Sequence, residues 1–136
     1  MPFNLDSRLE NSSYKILDWP LSEVRLKDNL YFPWIILIPR VSSTITEIFE
    51  LTTDQQAILM NEITQLSKKM CQFFNADKIN IGTLGNIVSQ LHVHVIARFQ
   101  NDPAWPHSVW QASILEKTYT DVDREKLIVD LREILA

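Results

Sequence analysis

The sequence predicts one domain that mixes strands with helices, and three observations carry the prediction. Five short segments show the apolar alternation or the unbroken apolar run of β-strands. Two longer stretches, 52–74 and 120–135, repeat apolar residues at helical spacing. With 136 residues, 46% hydrophobic and 22% charged, the chain has ordinary globular composition and enough length to bury a core without a metal or disulfide staple.

Residues 1–12 are polar with Phe3, Leu5 and Leu9 interspersed, which suits a short amphipathic turn of helix or an ordered arm. Tyr14–Trp19 and Ser22–Leu26 read as adjacent strands separated by Pro20, the second alternating Val24 and Leu26 with Glu23 and Arg25. Asp28-Asn29 supplies a turn. Pro33 opens, and Pro39-Arg40 closes, the run Trp34-Ile35-Ile36-Leu37-Ile38, which describes a central strand buried on both faces.

A connector over 42–49 has room for one short helix. A long helix then runs from Thr52 or Thr53 to about Phe74, with a threonine cap, Asp54 in the first turn and Lys68 and Lys69 near the end. Ile58, Leu59, Ile63, Leu66, Met70 and Phe73 form its stripe, and Met60, Met70 and Cys71 read as core or near-core. After the turn Asn75-Ala76-Asp77, Lys78–Leu84 is a strand with Ile79 and Ile81 opposite Asn80. Gly82 and Gly85, the only glycines, precede the last strand closely, so the backbone there must bend or approach something. Residues 100–108 form a loop holding Asp102-Pro103 and Trp105-Pro106. Thr120 and Asp123 fit a capping box for a final helix that packs through Leu127, Ile128, Leu131, Ile134 and Leu135.

Composition narrows the function classes. Cys71 is the single cysteine and no basic, apolar leader opens the sequence, which leads us to expect a cytoplasmic protein. The longest apolar run is far too short to span a membrane. A net charge of -4 without a Lys/Arg cluster argues against long nucleic acid as a partner. A small anion in a local pocket remains compatible, because backbone amides and a few polar side chains act at short range.

The chemistry concentrates in Gln90-Leu91-His92-Val93-His94-Val95-Ile96-Ala97-Arg98, which holds two of the three histidines. As a strand, it places Gln90, His92, His94 and Arg98 on one face and Leu91, Val93, Val95 and Ala97 on the other. Alternate residues lie roughly 6.6 Å apart, near the span of a phosphate with its oxygens, so two solvent-facing imidazoles can reach one phosphoryl group. A closed zinc site wants four ligands, and the neighbourhood offers no second cysteine and no third histidine. A serine or cysteine hydrolase lacks its Gly-x-Ser-x-Gly elbow, and Cys71 falls within the helix. Asn86, Gln90 and Gly85 on the approach make the cluster too polar to be core alone. Trp105 and Trp110 either fold over the site, meet a partner or pack as satellites, and His107 reads as surface.

Gly85-Asn86-Ile87-Val88-Ser89-Gln90-Leu91-His92-Val93-His94-Val95-Ile96-Ala97-Arg98 resembles the histidine triad superfamily, whose motif alternates three histidines with apolar residues after Gly-Gln/Asn-x-Val. Asp28 through Pro33-Trp34, and the strand ending Pro39-Arg40, sit where that family has its ribose-contacting turn and a strand ending in Pro-Lys/Arg. Ala104-Trp105-Pro106 and Val109-Trp110 look like the Ala-Trp-Pro-x-x-Val-Trp tail of a bacterial branch. The likeness covers Leu5 to Trp110. It implies an α+β fold: a five-stranded, mostly antiparallel sheet with the long helix packed on it and a C-terminal helix, dimerised into a larger sheet.

The resemblance also implies a nucleotide hydrolase of diadenosine tetraphosphate hydrolase type, acting on a dinucleoside polyphosphate or a nucleoside phosphoramidate. His92 matches the middle histidine, the nucleophile. His94 matches the third, which holds the α-phosphate and leaving group. Gln90 replaces the first, and Ile96-Ala97-Arg98 lacks the usual proline. A backbone carbonyl at Gln90 can still fix the tautomer of His92. Asn86, Gly85, Asn80 and Asp28 are the expected nucleotide contacts. No cofactor is required by the sequence, although a divalent metal such as Mg can accompany the substrate phosphates. Two other classes stay in play, a non-catalytic nucleotide-binding regulatory module and a metal-binding protein using His92 and His94.

Overall fold

The structure is a computed structural model that describes residues 2–111 and 116–136. The first residue of the N-terminal arm lies outside that range. The described elements are α1 (Ser7–Asn11), β1 (Ser13–Asp18), β2 (Ser22–Lys27), β3 (Trp34–Pro39), α2 (Thr53–Phe74), β4 (Lys78–Gly82), β5 (Val93–Arg98) and α3 (Asp121–Leu135). The connector before α2 holds a short 3-10 turn, Ile48–Glu50. The five strands form one sheet in the order β1-β2-β3-β5-β4, with all four pairings antiparallel. The fold is therefore the α+β class implied by the histidine motif.

Each face of the sheet has its own apolar layer. Val24, Leu26, Ile35, Leu37, Val93 and Val95 share one core with Leu59, Ile63, Leu66 and Met70 of α2 and Ile128, Leu131 and Leu135 of α3. Trp34, Ile36, Ile38 and Ile96 point to the opposite face and pack with Leu9, Phe32 and Val109. All six residues of β3 are buried, as a central strand flanked by two layers requires.

Local chemistry sets the helix ends. Thr52 Oγ1 accepts from the Gln55 amide at 3.1 Å while Gln55 Oε1 accepts from the Thr52 amide at 2.9 Å, a reciprocal capping box. Asn75 closes α2 in the left-handed conformation, φ 53°. On α3, Thr120 Oγ1 accepts from the Asp123 amide at 3.2 Å.

Several expectations change. Ile58, Met60 and Phe73 are exposed, because the sheet is met by a stripe narrower than the helix's apolar content. Strand β4 ends at Gly82, not Leu84, and β5 starts at Val93, so Gln90, Leu91 and His92 lie in the segment entering the strand. Among the described residues, no helix is long and apolar enough to cross a membrane.

Candidate active site

Strand alternation decides which residues of β5 can do chemistry. Val93, Val95 and Ala97 enter the core beneath the helices. His94, Ile96 and Arg98 take the other face. The two glycines prepare the approach. Gly85 has φ +72°, which turns the chain between β4 and β5, and a Cβ on Gly82 would stand 2.8 Å from the Trp110 ring.

The imidazoles are not the solvent-facing ledge anticipated from the strand pattern. His92 and His94 are 6% and 7% exposed, with ring centroids 4.8 Å apart at 73°. They border a cavity of about 470 Å³ whose apolar wall includes Leu9, Ile36, Leu84 and Val88.

Their hydrogen bonds assign the tautomers. The Gln90 carbonyl is 2.6 Å from His92 Nδ1. A carbonyl only accepts, so Nδ1 carries the proton and Nε2 keeps its lone pair. At His94 the relation reverses, because Trp34 Nε1–H donates to His94 Nδ1 at 2.9 Å and the ring proton must sit on Nε2. Burial pushes His92 below its ordinary pKa, with Lys27 adding repulsion. Burial takes His94 down to about 3, helped by His92 and Lys27. Both rings are neutral near pH 7.

The remaining sequence-selected residues separate into two groups. Asn86 lines the imidazole cavity, next to Leu84 and Ile87. Asp28 lines an adjoining polar cavity of about 540 Å³, and its Oδ1 accepts from the Tyr119 amide at 3.0 Å. The Gln90 side chain points to the N-terminal arm: Oε1 accepts from the Asp6 amide at 2.8 Å and Nε2 donates to the Asn4 carbonyl at 2.9 Å. Only its carbonyl addresses His92.

Asn80 and Arg98 are held elsewhere. Arg98 is 1% exposed and meets Asp102 through Nε at 2.7 Å and Nη2 at 3.0 Å, while Asn80 Oδ1 accepts from its Nη1 at 2.8 Å. Arg98 shares the face of His94 as expected but does not line the imidazole cavity: a fully buried guanidinium needs a paired carboxylate, and Asp102 supplies it. Asn80 is second to Arg98 and does not line the imidazole cavity. Trp110 folds over the site, 5.1 Å from the His94 ring, whereas Trp105 packs near the Arg98 guanidinium and His107 is exposed.

Two residues escaped the reading of the sequence. Trp34 reads as part of the apolar run of β3, and nothing local distinguishes a tryptophan that packs from one that also donates. Lys27 lines the imidazole cavity and two neighbouring ones. The signal for it was present, since Glu23, Arg25 and Lys27 alternate on the face of β2 that continues toward His94. Three other cations on this side of the sheet are engaged: Arg25 by Glu23 and Ser13, Arg98 by Asp102, and Arg8 by Asp6. Lys27 is half-buried with no hydrogen bond or ion pair among the described residues, and desolvation lowers its pKa.

No group of three or more His, Cys, Asp or Glu side chains gathers into a potential metal site among the described residues. The Lys27 ammonium, 5.5 Å over the Trp34 ring, one donor imidazole and one imidazole with a free lone pair instead converge on a cavity, an arrangement suited to an anionic phosphoryl group.

Comparison with known proteins gives the family. The HIT domain model matches residues 8–101. A histidine triad protein from Marinobacter aquaeolei VT8 is 40% identical over 99% of this chain and 97% of its own, with a TM-score of 0.95. One from Bradyrhizobium japonicum is 38% identical over 100% of both chains, TM-score 0.94, and one from Sinorhizobium meliloti 1021 is 40% identical over 96% of both, TM-score 0.91. Among curated proteins none matches. The family match over residues 8–101 and three full-length structural relatives leave one conclusion: this chain belongs to the HIT domain family.

Proposed function

We propose that the protein is a nucleotide hydrolase or transferase acting on the α-phosphate of a dinucleoside polyphosphate or a nucleoside phosphoramidate through a nucleotidyl-histidine intermediate. The observation that carries this reading is the 2.6 Å contact of His92 Nδ1 with the Gln90 carbonyl, which leaves Nε2 unprotonated beside the cavity. In the first step His92 Nε2 forms a bond to the α-phosphorus as the bond to the leaving group breaks and its electron pair departs with that group. In the second, water attacks phosphorus, the P–N bond breaks, the pair returns to Nε2 and one water proton passes to solvent.

Lys27 contributes the positive charge that two neutral rings lack, and His94 Nε2–H, Asn86 and amides near Gly85 hydrogen-bond the phosphoryl oxygens. Asp28, in the adjoining polar cavity, serves the ribose. Gln90 is a positioning residue acting through its carbonyl. A divalent cation such as Mg²⁺ would enter with the substrate phosphates. We further place the protein in the cytoplasm as a homodimer, within the bacterial branch marked by the tail Ala104–Trp110.

Intact mass after brief exposure to diadenosine tetraphosphate tests the reading: a nucleotidyl adduct forms on the wild type and is absent from His92→Ala. The second reading, nucleotide binding without turnover, is favoured by the commitment of the Gln90 side chain to the N-terminal arm in place of a third imidazole. Equal nucleotide binding by wild type and His92→Ala, with no product release from either, would select it.

A further inference from the structure

We propose that Trp34 sets the leaving-group class of this site: by donating its indole N–H to His94 Nδ1 it keeps His94 a neutral donor, and the site therefore turns over phosphoanhydrides, whose leaving group departs as an anion, in preference to phosphoramidates, whose leaving nitrogen must gain a proton. This rests on the reaction proposed above and narrows it.

The argument begins with what an indole can do. Its nitrogen is a donor with no acceptor capacity, and an imidazolium has two N–H donors and no lone pair. The 2.9 Å contact between Trp34 Nε1 and His94 Nδ1 can exist only while His94 is neutral. Trp34 has little freedom to give way, being 5% exposed in the central strand, with Trp110 set edge-on against it. Trp110 also closes on the His94 ring, and the charged or titratable neighbours, His92 and Lys27, both oppose its protonation. No carboxylate is hydrogen-bonded to His94 among the described residues to favour the cation.

A neutral imidazole can steady an oxygen through Nε2–H but has no proton it can surrender near pH 7. When His92 Nε2 attacks a phosphoanhydride, the P–O bond breaks and the electron pair leaves on a phosphate oxygen, which needs no proton and can be met by Lys27. When the same attack is made on a phosphoramidate, the P–N bond breaks and the nitrogen must receive a proton from an acid in order to leave as ammonia. His94 is the ring placed beside the nucleophile, and Trp34 removes it from that task.

The test compares diadenosine tetraphosphate with adenosine 5′-phosphoramidate, using wild type, Trp34→Phe and Lys27→Met. Because a positioned general acid contributes on the order of 100-fold or more, wild type should prefer the anhydride by about that factor in kcat/KM. Trp34→Phe frees His94 Nδ1 and should shrink the preference by roughly tenfold or more, with phosphoramidate turnover rising on acidification. Equal turnover of both substrates by wild type, an unchanged ratio in Trp34→Phe, or loss of phosphoramidate turnover alone in Lys27→Met would overturn the proposal, the last by identifying the lysine as the acid.

A nitrogen-detected NMR titration of wild type reads the lock without turnover or a variant. His94 should stay in its Nε2–H form through the range where free imidazole titrates, and protonation near the ordinary value would sink the idea. Failure of wild type to form a nucleotidyl adduct with either substrate would instead remove the reaction on which the inference rests.

Discussion

His94 shows at the scale of one residue how burial becomes both chemistry and pH dependence. The ring's pKa falls from 6.5 to about 3, chiefly by burial. Below about pH 6.5 the unfolded chain binds a proton that the folded ring refuses, so stability is complete above that pH and declines as pH falls toward 3. Urea titrations between pH 6.5 and 4 should show a loss approaching about 1.4 kcal/mol per pH unit from this ring, reduced in His94→Asn. Lys27 is the complementary case, a cation whose pKa desolvation lowers against the pull of Glu116 and Asp28. Hydrogen bonds to charged groups are worth about 1.5–3 kcal/mol, so Lys27→Met should lower kcat/KM for diadenosine tetraphosphate by roughly tenfold or more.

Elements hold the site by gripping each other's loops. Arg98, at the end of β5, binds Asp102 and the His107 carbonyl, and so ties residues 99–108 to the strand that carries His94. Burial opposes ionisation of Asp102, but hydrogen bonds from Arg98 and the amides of Phe99 and Ala104 outweigh it and hold the carboxyl below its ordinary range. Asp102→Ala strands a guanidinium that is 1% exposed, and denaturation should register a loss of about 3–5 kcal/mol. The N-terminal arm is gripped in the same manner by Gln90, whose side chain holds residues 4 and 6 while Arg8 Nη1 reaches the Ile87 carbonyl at 3.1 Å. One residue thereby joins the arm to the imidazole segment.

At the scale of the whole molecule, α2 and α3 cover one face of the sheet and leave the other to the arm with α1, the 99–111 loop and the cavity. β4 forms one edge of the sheet, where Ile81 is 52% exposed, and the homodimer proposed above would pair this edge with a second copy. Sedimentation should give a dimer for wild type, and Ile81→Lys should shift it toward monomer while far-UV circular dichroism stays unchanged.

Period and punctuation determined much of this protein. The α2 stripe with its Thr52 cap, the run of β3 between two prolines, and the alternation across β5 are local patterns, and the elements they predict form, in the five-stranded antiparallel sheet that the family resemblance implies. His92 and His94 were legible because imidazoles two apart in an apolar run are conspicuous, and the bond from His92 to the Gln90 carbonyl followed from adjacency in the chain. Only the tertiary structure decided that Asn80 serves Arg98, that Trp34 fixes the tautomer of His94, and that Lys27 lines the cavity beside His94. The reason is physical: each of these roles depends on a partner more than a dozen residues away, and no periodicity in a chain records which distant donor will meet which acceptor.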